Sequence, residues 1–226
     1  AVLSDASKRM DSRRMLASLL GALKDVGMVV YSGIASDVRV SVKALKPEIF
    51  EVAGDPVVFG VEWDNSDYGA GKHEVRVFLL RTVCLNGMTG ESLMANTHLG
   101  SRASEDIKLR ESTRKAGEEY LSGLIADTIK TKAGPAAIAK TMAAVKAAAE
   151  ERITIGDNLP AALRRGLSKP EQDRARALFE SDESVMLPPA PTTARLANVL
   201  SWMANTASNP DRSMELQALA GTVMGI

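Results

Sequence analysis

The sequence predicts an α+β protein with an N-terminal helix, a four-stranded antiparallel β-meander and a mainly helical C-terminal half. Apolar residues recur every three or four positions before Gly27, alternate with period two between residues 28 and 80, and return to helical spacing after Gly90. The alternating stretches follow one another through short connections with no helical stretch between them, which favours a meander over alternating β and α units.

In the first helix, Leu16, Leu19, Leu20, Leu23 and Val26 form one apolar stripe. Ser4, Asp5 and Ser7 are candidate N-caps, and Gly27 stands where a left-handed C-terminal residue belongs. Arg9, Arg13 and Arg14 lie towards the polar side, as on a solvated face. The apolar run Met28 to Ile34 reads as the first strand, with Gly33 allowing a turn or bulge. Val38, Val40 and Val42 then alternate with Arg39, Ser41 and Lys43, and Pro47 is expected to close this strand. Gly54, Asp55 and Pro56 punctuate a loop. Val57, Phe59, Val61 and Trp63 alternate in a third strand, and Val75, Val77 and Leu79 in a fourth. Residues 64–72 between them, rich in Asp, Asn, Ser and Gly, make a long polar hairpin tip.

A helix is expected from about Ser104 to Lys132, with Ala116, Tyr120, Leu124 and Ile125 on one face. Gly134 and Pro135 separate it from a second helix striped by Ile138, Met142, Val145 and Ala149. Glu171 to Glu180 reads as a short helix, and Pro188, Pro189 and Pro191 as a stiff linker. Two terminal helices follow, roughly 192–207 and 210–224. Leu196, Val199, Leu200 and Met203 stripe the first of these, and Trp202 lies off the stripe, free to pack elsewhere or against a partner chain. The expected division is an α+β domain over residues 1–132 and a helical region over 133–226, with the proline-rich linker near 187–191.

The chain has 226 residues, 45% hydrophobic and 25% charged, which is the profile of an ordinary globular protein. Lys and Arg number 28, equal to Asp and Glu, so bulk charge holds neither nucleic acid nor anionic lipid, and any such partner needs a local patch. Charge is nevertheless segregated. Residues 1–50 carry 8 basic and 5 acidic side chains, residues 51–75 carry 1 and 6, residues 76–116 carry 7 and 4, and residues 180–226 carry 2 and 5. The candidate nucleic-acid contacts are therefore Arg76, Arg81, Arg102, Lys108, Arg110, Arg114 and Lys115. Arg110 and Arg114, four apart, share a helix face suited to following a phosphate backbone. The same residues also fit a helix with its charges in water, partnered by Glu105, Asp106, Glu111 and Glu118. Acidic and basic regions on one chain further favour head-to-tail contact between protomers in a homo-oligomer.

Catalytic constellations are scarce. His73, His98 and Cys84 have no spacing typical of a nucleophile and its base, and three such residues fall short of a zinc site. Cys84 reads as a small buried residue and cannot form an internal disulfide. The stretch Asp64 to Gly69 lacks the ligand alternation and distal Glu of a calcium loop, and no phosphate-binding glycine motif joins a strand to a helix. No catalytic residue, metal or cofactor is expected, and an enzyme is not. Nine aromatic residues are few for a base-stacking surface, and Phe59, Trp63 and Phe78 read as core. Apolar runs are too short to cross a membrane, and the first residues lack signal-peptide order, so a cytoplasmic location is expected.

Asn65, Ser66, Asp67 and Gly69, then Arg81, Val83, Cys84 and Asn86, then His98 ahead of a long helix, together resemble a phage/plasmid-like domain family of unknown function. Tyr68 adds one residue to that family's turn, and Thr82 stands where Val is commoner. The stretch Thr192 to Trp202 is similar to the family's closing helix. The resemblance covers most of the chain and implies a phage or plasmid origin without an activity. The order of helix, meander and basic helix is also similar, at the level of fold, to Redβ-type single-strand annealing proteins. That likeness implies an oligomer holding single-stranded DNA by its phosphates with the bases free to pair, which needs no catalytic residue. The alternative is a structural or host-interaction protein of a phage, with no nucleic-acid role.

Overall fold

A computed structural model describes residues 12–35, 39–65, 73–82, 86–96, 110–156, 159–181 and 187–226. It is an α+β structure: helix α1 (Ser12–Asp25), a five-stranded antiparallel sheet, and a mainly helical C-terminal half. The strands are β1 (Val29–Ala35), β2 (Val40–Val52), β3 (Asp55–Asn65), β4 (His73–Arg81) and β5 (Asn86–Asn96), in the spatial order β1-β2-β3-β4-β5. Helices α2 (Glu111–Lys132), α3 (Pro135–Glu150), α4 (Ala161–Gly166), α5 (Lys169–Glu180), α6 (Thr193–Asn205) and α7 (Pro210–Met224) follow.

The sheet thus has one strand more than the four expected. β5 is the addition, and its sequence Asn-Gly-Met-Thr-Gly-Glu-Ser-Leu-Met-Ala-Asn has neither clean alternation nor β-branched enrichment. Pro47 does not end its strand either. The last β1–β2 pair is Val29↔Leu45, so β2 runs past the end of β1 there, and an exposed edge position tolerates a residue with no N–H. Gly27 does close α1 in the left-handed region, at φ 66°. The β1–β2 register shifts between Val30 and Ser32, a bulge at Tyr31.

The β2–β3 connection is a two-residue turn, Ala53-Gly54, with φ 51° and 82°. Positive φ at both central positions is the turn whose twist matches paired strands, and it favours Asn-Gly over Ala-Gly. Ala53→Asn is expected to stabilise the protein by about 0.5–1 kcal/mol, read as a small rise in melting temperature. An unchanged or lower melting temperature would contradict the turn.

The chain forms two compact units whose limits pass through the strands: residues 1–47, 60–76 and 92–137 in one, residues 48–59, 77–91 and 138–226 in the other. In the first unit α1 packs beside α2. Met15, Leu19, Ala22 and Leu23 supply the buried stripe of α1, and Leu121, Ile125 and Ile129 that of α2. Tyr120, expected on the apolar face, is 66% exposed, because the four-residue repeat from Leu121 sets the buried side. The Ser18 hydroxyl donates to the Ser122 carbonyl at 2.7 Å, and the Asn65 amide donates to the Ser12 hydroxyl at 2.7 Å, tying α1 to α2 and to β3.

In the second unit α6 is the central helix, buried at ten of its thirteen positions. The Arg195 side chain leaves α6 inside the protein and donates to the carbonyls of Phe179, Pro188 and Ser181, closing the C-terminal end of α5. The expected proline linker is pinned to the body. Leu187 is buried, the Ile153 N–H donates to the Pro191 carbonyl, and Arg152 and Thr192 form an isolated antiparallel bridge. No helix among the described residues is long and apolar enough to cross a membrane.

Candidate nucleic-acid interface

Strand β3 is buried along both faces, and its carboxylates decide where the neighbouring cations go. Glu62 and Asp64 are 6% and 3% exposed, and a buried carboxylate requires a cation and hydrogen bonds. Lys43 on β2 lies 3.4 Å from Glu62. Asp64 accepts from Arg39 at 2.8 Å on one side and from Arg76 of β4 at 2.9 Å on the other, and Arg76 also reaches Glu74 at 3.3 Å. Three adjacent strands therefore share one ladder of ion pairs, with Arg76 inside it. Arg81, on the same strand, is equally committed: its side chain is buried and paired with Asp55.

The candidate phosphate contacts accordingly divide. Arg76 neutralises buried Asp64 and buried Arg81 pairs with half-buried Asp55, so neither presents its full charge to solvent. Arg102 and Lys108 lie outside the described residues. Arg110, Arg114 and Lys115 come together at the start of α2. Arg110 is the extended N-cap residue, so the helix begins after it, and its carbonyl accepts the first helical bond from Arg114 at 3.1 Å. Arg110 is exposed and has no ion-pair partner among the described residues. Arg114 donates to Glu111 at 2.6 Å, while Lys115 stands 3.9 Å from the same carboxylate with 59% of its side chain exposed. Arg114 and Lys115 thus share one carboxylate at a helix N-terminus that Arg110 precedes, and the free N–H groups there add partial positive charge.

Phe59, Trp63 and Phe78 are all buried, so none of these three offers a face for base stacking. The Trp63 indole donates to Nε2 of buried His73 at 2.8 Å, so that nitrogen is unprotonated and the ring carries its proton on Nδ1. Cys84 and His98, the other members of any Cys/His pair, lie outside the described residues, as do Ser66, Asp67, Gly69 and Val83 of the resemblance. Among the described residues no cluster of His, Cys, Asp and Glu is arranged to hold a metal ion. A cavity of about 20 Å³ between Arg81, Asp55 and Asn198 is the size of a single water, too small for a substrate.

No family model, curated protein or solved structure matches this chain.

A second charged cluster lies where α5, α6 and α7 meet, along an open groove of about 240 Å³. Trp202, off the apolar stripe of α6, lies beneath the Arg174 guanidinium at 5.2 Å from its ring centre. Arg212 grips Glu171 with two parallel bonds of 2.8 and 2.7 Å. Glu171 also accepts from the Ser168 N–H and hydroxyl, completing a capping box at the start of α5. The Arg212 bond, followed by the bonds from Ser168, holds the Glu171 carboxyl down at about 2 against the usual 4.5. The pair pushes the Arg212 guanidinium upward in turn. A carboxylate depressed in the fold contributes stability fully above pH 4.5, and that contribution is lost as the pH falls towards 2. The pair is expected to contribute about 2 kcal/mol at neutral pH, after allowance for its partial exposure. Denaturant titrations from pH 6 to about pH 2 measure this, and Glu171→Gln removes that part of the acid dependence. An unchanged acid profile in Glu171→Gln would contradict it.

Proposed function

We propose that this chain is a phage- or plasmid-encoded, homo-oligomeric protein that binds single-stranded DNA without catalytic chemistry of its own. It holds the phosphates at the start of α2 and leaves the bases free to anneal, in the cytoplasm of the host cell. The observation that carries the reading is the cluster of exposed Arg110 and Lys115 with half-buried Arg114, set against the single carboxylate of Glu111. Arg110 and Arg114 sit one turn apart, as backbone-directed binding requires, and the helix N-terminus points the same sign of charge at the anion. The resemblance to the phage/plasmid-like family supports the origin, and the likeness to Redβ-type proteins supports annealing.

The test is binding of a fluorescent single-stranded oligonucleotide across a salt series. Each lost phosphate contact lowers the log–log salt slope by about 0.7 on a single strand. The triple variant Arg110→Ala/Arg114→Ala/Lys115→Ala is expected to lower the slope by about 2 and the affinity at ~0.1 M salt at least about tenfold. Glu111→Gln, which removes the competing carboxylate, is expected to bind more tightly than the parent. Absence of binding at low salt, or a triple variant that binds like the parent, would overturn the proposal.

A further inference from the structure

Strand β1 occupies one edge of the sheet. Its inner side pairs with β2 from Val29↔Leu45 to Ala35↔Val40, and no strand lies against its outer side among the described residues. All seven of its residues are exposed, including Val29 at 59%, Val30 at 47%, Tyr31 at 51% and Ile34 at 71%. An edge like this is a template for another strand, and proteins that keep such edges single usually place Lys, Pro or inward charges on them. β1 has no charged residue and no proline, and its one irregularity is the bulge at Tyr31. By contrast the neighbouring β2 carries Lys43, Lys46, Pro47, Glu48 and Glu51.

We propose that β1 joins two copies of this chain by antiparallel pairing with the β1 of a second copy. An uncharged strand can face itself across a two-fold axis with no like charges brought into opposition, whereas a polyanion or a charged peptide would find nothing on it to neutralise. The meander alternates direction at every strand, and a second β1 running antiparallel to the first continues that alternation through ten strands. Val29, Val30, Tyr31 and Ile34 are strong strand formers whose cross-strand contacts supply the apolar part of the joint. Both copies use the same patch, so the contact closes at two. A seven-residue strand is about 23 Å long, and a joint of that length alone is at the small end of specific interfaces, which makes a dimer dissociable at micromolar concentration.

The inference does not depend on nucleic-acid binding, and its test is run with no nucleic acid present. Sedimentation or light scattering of the full chain from ~1 to ~200 µM is expected to show a monomer–dimer equilibrium. Amide exchange in residues 29–35 is expected to slow as the dimer fills. Ile34→Lys, at a site 71% exposed, is expected to keep the circular dichroism and melting temperature of the parent while weakening the dimer at least about tenfold. Val30→Lys is the second variant, expected to weaken the dimer in the same way. A chain that stays monomeric at ~200 µM would overturn the inference, as would a dimer that both variants leave intact. So would protection of residues 29–35 already complete in the monomer, which would mean that the chain's own residues cover the edge.

Discussion

Replacing Gly221 with Ala is expected to destabilise the protein by about 3 kcal/mol, even though Ala is the better helix former by roughly 1 kcal/mol. Gly221 lies inside α7, and a Cβ there would stand 2.0 Å from the Thr89 carbonyl oxygen, 2.6 Å from its carbon and 3.1 Å from the Cα of Gly90. These are backbone atoms of β5, so no rotamer change relieves the clash, and either the helix or the strand must move. In a chain of this size the loss corresponds to a fall of roughly 6–12 °C in melting temperature. Gly123→Ala is the matched control. It lies in α2 with nothing within 4 Å of a new Cβ, and there the same substitution is expected to stabilise by roughly 0.5–1 kcal/mol. If Gly221→Ala melted as high as its parent, the close contact of α7 with β5 would be wrong.

Arg195→Met is expected to cost about 3–5 kcal/mol, through groups left behind more than through volume lost. The residue is 5% exposed. Its Nε donates to the Phe179 carbonyl at 2.7 Å and one terminal nitrogen to that of Pro188 at 2.6 Å, while the other reaches the carbonyl of Ser181. None of these partners is a carboxylate: backbone dipoles at the C-terminal end of α5 take up the charge, helped by the Phe179 ring. Met fills most of the space but leaves these buried carbonyls without a donor. Arg195→Lys is expected to recover only part of the loss, because a single ammonium cannot span the fork of a planar guanidinium. Denaturant midpoints for the two variants measure both effects, and a loss below about 1 kcal/mol in Arg195→Met would contradict this assignment.

Where local pattern and tertiary packing agree, the sequence was a good guide. Helix α1, the left-handed Gly27 and the alternation in β2, β3 and β4 were all legible, although of the expected α1 stripe only Leu19 and Leu23 are buried, Leu20 is 42% exposed, and Met15 and Ala22 complete the buried face. So were the limits of α7, with Pro210 in its first turn. β5 was not legible, because glycines that thin its strand pattern are the ones packing needs: Gly90 lies against the backbone of Gly221, and Ile226 stands within 2.9 Å of a Cβ at Gly90. The ion pairs of Arg76 and Arg81 were hidden for a related reason. A tally of charges along the chain grouped Arg76 and Arg81 with the cations of α2, but strand pairing sets Arg76 beside Asp64, twelve residues earlier, and Arg81 beside Asp55, twenty-six residues earlier. Only a pairing of β3 with β4 worked out residue by residue reveals those partners. Arg195 left no local signal, since its partners are carbonyls, which every residue has.

The pairing of α1 with α2 bears on how the protein is made. Ser18 and Ser122, joined by a hydrogen bond, are 104 residues apart in the chain. A ribosome adding about 5–20 residues each second would deliver α1 several seconds or more before its companion helix. Over that interval Met15, Leu19 and Leu23 have no α2 to lie against, so the nascent chain offers chaperones an apolar stripe that the finished protein conceals.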